Sequence, residues 1–157
     1  MNTIFPCLWF ADQAEAAVTF YVSVFKDSSI LEISRYGPGA PMPEGTVLCI
    51  DFELDGNRMQ AFNGGQDFPF TEAISLSVAA KDQAEVDHLW DALTAEGGEP
   101  GRCGWLKDRY GLSWQVVPDA LAPLRLDPDP VKVDRVMQAL LGMGKLDVAG
   151  LQAAYDG

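Results

Sequence analysis

Histidine is nearly absent: His88 stands alone in 157 residues. Imidazole is the commonest metal ligand and the side chain that titrates nearest neutral pH, so the chain has neither a multi-histidine metal centre nor a pair of catalytic histidines. Cysteine is scarce too. Cys7, Cys49 and Cys103 are odd in number, far apart and without C-x-x-C spacing, which argues against a disulfide framework or a zinc knuckle and predicts buried free thiols. Basic residues are outnumbered, 11 Lys and Arg against 23 Asp and Glu, giving a net charge of −12 with no basic stripe. Such a chain repels phosphate backbones and anionic lipid surfaces, so no nucleic-acid or membrane partner is expected. Long apolar runs are also missing. The segment MNTIFPCLWF has neither a basic leader nor a membrane-spanning stretch, and the expected location is cytoplasmic.

What is present is an ordinary globular balance, 48% hydrophobic and 22% charged, in a length suited to one well-filled domain. Within it one tetrapeptide occurs twice, as Asp12-Gln13-Ala14-Glu15 and as Asp82-Gln83-Ala84-Glu85. Each copy joins an apolar run to an amphipathic one. Asp is a good N-cap and Glu three residues on can reach back to the cap's backbone, a variant of the capping box, so both copies are expected to start helices. Ala14, Ala17, Val18, Tyr21, Val24 and Phe25 make the apolar stripe of the first helix, and Val86, Leu89, Trp90 and Leu93 that of the second, which is expected to stop at Gly97-Gly98.

FPCLWF before the first copy and Ala73–Ala79 before the second read as strands. ILEISRY, TVLCIDFEL, an Asp55-Gly56 turn and NRMQAF supply three more, the last two as a hairpin. A shorter version follows in the second half, with strands near Gly101–Leu106 and Leu112–Val117 about the turn Asp108-Arg109-Tyr110-Gly111. The sequence thus describes βαβββ twice, an α+β class with modules over 1–64 and 65–123. Residues 124–157 form a helical extension, and all three parts belong to one structural domain. In that extension Asp129-Pro130 is an N-cap with proline at the first helical position, Gly142 is a stop, and a second short helix is expected over Asp147–Tyr155.

The stretches FPCLWFADQAEAAVTFYVSVF, ELDGNRMQAFNGG, AISLSVAAKDQAEVDHLWDAL and CGWLKDRYGLSWQVVP resemble the vicinal oxygen chelate superfamily of glyoxalase I, bleomycin-resistance proteins and extradiol dioxygenases. The nearest likeness is to its PhnB-like branch, often labelled 3-demethylubiquinone-9 3-methyltransferase, and it covers about residues 1 to 120. The resemblance implies tandem modules forming a curled mixed sheet with helices on the outer face, and in metal-dependent members four ligands from the first, fourth, fifth and eighth strands. Carried over, those positions fall on Pro6, on Gln60 (or Ala61 if the hairpin slips by one), on Ala73 and on Gln115. Pro6 and Ala73 offer no donor, so no metal is expected. The methyltransferase label implies S-adenosylmethionine, but the only near glycine-rich candidates are Asn63-Gly64-Gly65, followed by Phe68-Pro69-Phe70 rather than a helix, and Gly97-Gly98, which follows one. No cofactor is therefore expected.

Strand parity suggests a ligand pocket. If Ile74, Leu76, Val78, Leu112, Trp114 and Val116 face the helices, then Ser75, Ser77, Ser113, Gln115 and Val117 face the concave side. The other half adds Pro6, Leu8, Phe10, Cys49, Asp51, Gln60 and Phe62. Asp51, the one candidate catalytic residue, has two readings: a base or an anchor for a cationic ligand, or a solvated rim carboxylate. Trp105, Lys107 and Tyr110 form either a lip over the opening or a surface hairpin. His88 reads as a solvated helix residue. The expected function is metal-free binding of a small organic molecule by a homodimer closed by the C-terminal helices, the alternative being a superfamily enzyme, whether metal-dependent lyase, dioxygenase or methyltransferase.

Overall fold

The computed structural model describes residues 4–157. The chain divides into two compact units, Met1–Pro69 and Phe70–Gly157, each with its own four-stranded mixed sheet. The α+β class holds, with helices against both sheets. No helix among the described residues is long and apolar enough to cross a membrane.

The first unit runs β1 (Cys7–Phe10), α1 (Ala14–Val24), β2 (Ser29–Arg35), β3 (Val47–Leu54) and β4 (Asn57–Asn63). Its sheet order is β1-β4-β3-β2, with β1 parallel to β4 and the other pairs antiparallel. Asp55 and Gly56 join β3 to β4 with both φ positive, at 50° and 69°, the conformation that matches a two-residue hairpin to the strands' twist. The expected stripe of α1 is buried at Ala14, Ala17, Val18 and Tyr21, and the helix packs on β3 and β4, whose Ile50, Phe52 and Ala61 are likewise without exposed surface.

The first DQAE copy does not cap its helix. Gln13 rather than Asp12 holds the N-cap position, and neither makes a side-chain cap bond. The cap comes from 49 residues away: Asn63 Oδ1 accepts from Ala14 N at 2.9 Å, while Asn63 Nδ2 donates to Val47 O at 3.0 Å. The second copy behaves as expected, except that its carboxylates share the work differently. Asp82 accepts from Glu85 N at 2.9 Å, and Glu85 reaches back to Lys81 N, one residue beyond the cap.

The second unit runs β5 (Ser75–Ala80), α2 (Gln83–Thr94), a 3₁₀ turn (Ala95–Gly97), β6 (Glu99–Pro100), β7 (Trp105–Lys107) and β8 (Ser113–Pro118). Three helices follow, α3 (Leu121–Arg125), α4 (Pro130–Gly142) and α5 (Val148–Asp156). The sheet order β5-β8-β7-β6 repeats that of the first unit, with β6, β7 and β8 shorter than β2, β3 and β4. Helix α2 ends at Thr94, before the expected glycines, and the left-handed Gly97 at φ 104° completes the turn that leads into β6. Asp129 and Asp147 cap α4 and α5 by accepting from Val131 N and from Ala149 N and Gly150 N. Leu121, Leu124, Val136, Leu140, Leu146 and Leu151 bury one another, and Cys103, Val117, Met143 and Tyr155 pack on this cluster. Backbone bonds from Cys103 N to Met143 O and from Gly104 N to Gly144 O, both 2.8 Å, tie the extension to the entry of β7.

Candidate functional site

Each sheet has one face under its helix and one open face, and the register decides which side chains reach the open one. In the first unit Cys7 pairs with Gln60 and Gln60 with Asp51, while Trp9 pairs with Phe62 and Phe62 with Cys49. Paired residues project to the same side, so these two rows make the open face. Cys49, Asp51, Gln60 and Phe62 thus project from one face of the sheet.

The expectation that Leu8 and Phe10 line this face is corrected. Leu8 pairs with Ala61, which pairs with Ile50, and Leu8 and Phe10 are 5% and 4% exposed in the core under α1. Cys7 and Trp9 take the places assigned to them, because a one-residue slip in a strand exchanges its two faces. Pro6 precedes the strand. The thiols, expected to be buried, are not: Cys7 is exposed and Cys49 and Cys103 are half-buried, all three free.

The polar row is internally bonded. Arg58 Nη2 donates to Asp51 Oδ1 at 2.9 Å while its guanidinium lies 4.3 Å from the Phe5 ring centroid, and Gln60 Nε2 lies 3.4 Å from both Asp51 oxygens. Asp51 is thus held in an ion pair with Arg58 rather than merely solvated. Its charge is felt nearby: partial desolvation first, then the Asp51 carboxylate, push the Cys7 and Cys49 thiols above their ordinary range.

Beside this row lies an aromatic surface that sequence reading missed. Trp9 meets Phe62 at 4.9 Å and Phe68 at 5.3 Å between centroids, and its Nε1 donates to Gln66 O at 2.7 Å. A Cβ on Gly64 would sit 1.8 Å from the Trp9 ring, so only glycine lets the indole lie down on the chain there.

In the second unit Ser77 pairs with Gln115 and Gln115 with Trp105, while Ser75 pairs with Ser113 and Ser113 with Lys107. Leu76, Trp114 and Leu106 make the opposite row. Trp114 and Leu106 are buried and Leu76 half-buried. Gln115 Nε2 donates to Ser75 Oγ at 2.8 Å. Ile74, expected to face the helix, precedes β5 and is 70% exposed. Val117 packs on the C-terminal cluster instead of lining an open face. Trp105 and Lys107 share the open side of β7, whereas Tyr110 belongs to the Asp108–Gly111 turn, its N bonded to Asp108 Oδ1 at 2.8 Å. His88 is an exposed residue of α2.

The donor chemistry does not suit the metal that the superfamily resemblance implies. Pro6 and Ala73 bring no donor atom, which leaves one amide in each unit: beside Gln60 stand Cys7 and an Asp51 already engaged by Arg58, and beside Gln115 stand Ser77 and Trp105, in neither unit the oxygen-rich set a hard divalent ion prefers. Among the described residues no three His, Cys, Asp or Glu side chains are grouped to hold one. Nor do the glycines suit S-adenosylmethionine. Gly64 and Gly65 follow β4 into a loop, where the one underlies Trp9 and the other, at φ 74°, approaches Met42. Gly98 is pressed against Leu93 O at the end of α2.

The chain matches the family described as 3-demethylubiquinone-9 3-methyltransferase over residues 2–117. A comparison with curated proteins gives no match. Among solved structures it is similar to the PhnB protein of Bacillus cereus, provisionally described there as a 3-demethylubiquinone-9 3-methyltransferase. That pair shares 34% identity over 74% of this chain and 99% of the other, with a TM-score of 0.70. A Pseudomonas aeruginosa protein at 20% identity shares the fold (TM-score 0.62, 75% of this chain and 98% of that one). So does the fosfomycin resistance protein FosX of Listeria monocytogenes in complex with Mn(II) and sulfate, at 12% identity (TM-score 0.53, 74% and 89%). On this match and the 34% identity to the PhnB protein, the chain belongs to the 3-demethylubiquinone-9 3-methyltransferase, PhnB-like family.

Proposed function

We propose that the protein binds a small, partly polar organic molecule on its open sheet faces without the help of a metal ion or S-adenosylmethionine. One observation carries this reading: Trp9, Phe62 and Phe68 form a partly exposed aromatic surface beside the Asp51–Arg58–Gln60 row, a pairing of flat apolar area with a few fixed polar groups. Ser77, Gln115 and Trp105 repeat the combination on the second sheet. On this reading Asp51 anchors through its ion pair and orients Gln60; it is not a catalytic base.

The proposal includes a homodimer, for which the exposed Leu126, Val131 and Leu141 of the C-terminal extension offer apolar area. It also includes a cytoplasmic location, consistent with three free thiols and an acidic surface. The test is a thermal-shift screen of metabolites, with and without EDTA, on the purified chain. A ligand that raises Tm equally in both arms supports the proposal, since binding to the native state stabilises it by mass action. Stabilisation that appears only with added Mn²⁺, Zn²⁺ or Ni²⁺ defeats it and favours a metal-dependent superfamily enzyme.

A further inference from the structure

At the β6 edge of the second unit's sheet lies a cavity of about 200 Å³ lined by Glu72, Glu99, Trp105, Lys107 and Ser113 together with the Pro100-Gly101 backbone. Its floor holds an unusual group. Ser113 is 1% exposed and its Oγ has no hydrogen-bond partner among the described residues, although a hydroxyl taken out of water is nearly always paired because its lost hydration is otherwise uncompensated. The register places its neighbours: Ser113 faces Lys107, and Lys107 faces Glu99, so the three project from one side of adjacent strands. Lys107 Nζ reaches Glu72 Oε1 at 2.7 Å. That contact draws the Glu72 carboxyl below its ordinary range and the Lys107 ammonium above it.

Two carboxylates against one ammonium leave the cavity with one negative charge, and among the described residues no ion pair engages Glu99. An anion entering here meets Glu99 and must take Lys107 from Glu72. A cation meets Glu99, which among the described residues has no contact ion pair although its charge reaches Lys107 across the strand pair, and the aromatic surface of Trp105, and a hydroxyl beside that cation finds the unused lone pairs and proton of Ser113. At ~30 Å³ for each water-sized group, the space takes roughly seven non-hydrogen atoms. Glu99 and Ser113 stand two strands apart, about 9–10 Å between their backbones, a span that two side chains and a three-carbon molecule can bridge.

We propose that this cavity binds a small amino alcohol, its ammonium on Glu99 and its hydroxyl on Ser113 Oγ. The proposal rests on the small-molecule reading above and names the chemistry of one part of the lining.

The experiment is a ¹H–¹⁵N titration of the whole chain with 3-aminopropan-1-ol, set against 3-hydroxypropanoate, which has the opposite charge, and n-propylamine, which lacks the hydroxyl. Saturable shifts confined to residues 99–107 and 113 are expected with the amino alcohol and none with the carboxylate. Glu99→Gln is expected to weaken binding about tenfold or more. Ser113→Ala removes an unpaired buried hydroxyl, so it keeps the fold; it is expected to weaken the amino alcohol severalfold while leaving n-propylamine unchanged. Equal shifts with the carboxylate, indifference to either substitution, or no saturable shift at all overturns the proposal. Shifts that gather instead around Asp51 and Gln60 also overturn it while leaving the small-molecule reading intact. That reading falls separately, when its metabolite screen raises Tm only through added metal.

Discussion

The two units begin their helices with the same four residues and cap them by different means. In the second, Asp82 does the work locally; in the first, Asp12 is a bystander and Asn63 caps from the end of β4. The register shows why. Phe10, two residues before Asp12, pairs with Asn63, whereas Ala80, two residues before Asp82, pairs with Pro118. Asparagine brings an amide that can reach the helix start, and proline brings nothing. A repeated motif therefore predicts that a helix starts, while the residue across the sheet determines which atom closes its first turn.

This difference sets the order of effects. Asn63→Ala removes two buried hydrogen bonds and leaves Ala14 N–H and Val47 C=O unpaired, with an expected loss of about 2–4 kcal/mol. Asp82→Ala removes a local cap and is expected to cost ~1 kcal/mol, whereas Asp12→Ala is expected to fall within about 0.5 kcal/mol of the parent. Urea unfolding of the three variants, compared by midpoint at constant slope, gives the ranking. If Asp12→Ala matched Asp82→Ala, the two caps would be equivalent after all.

The same contrast between local and distant causes governs what the sequence could disclose. Asp82, Asp129 and Asp147 each bond a backbone N–H within three residues, so their helix starts were visible as a pattern. The turn at Asp55-Gly56 and the alternation of β3, with Ile50, Phe52 and Leu54 inward and Cys49 and Asp51 outward, were visible for the same reason. Asn63 gave no local sign of being a cap. Nor did β1 disclose its parity, because Cys7, Leu8, Trp9 and Phe10 are all apolar and either alternate pair can serve as the core face. Only its pairing with β4 chooses, and that choice moved Leu8 and Phe10 into the core and brought Trp9 to the open face. Phe68 lies in a loop with no period at all, and the resemblance carried no sign of it.

The smallest effect belongs to the thiols of the first unit, where Asp51 contributes charge rather than packing. Cys7 and Cys49 are held toward the protonated form first by partial desolvation and second by that carboxylate. Asp51→Asn removes only the second cause, so both pKa values should fall part of the way back toward their ordinary range. More thiolate is then present at pH 8, and since the thiolate is the nucleophile, alkylation by iodoacetamide should accelerate about two- to fivefold at both cysteines. Peptide-resolved mass spectrometry separates the two sites. The acceleration should shrink as pH rises above the thiol pKa values, where both proteins are fully ionised; one that persists there would mean that the substitution opened the sheet face rather than changed its field. That outcome would make Asp51, through Arg58 and Phe5, a structural clasp of the first unit rather than a source of charge.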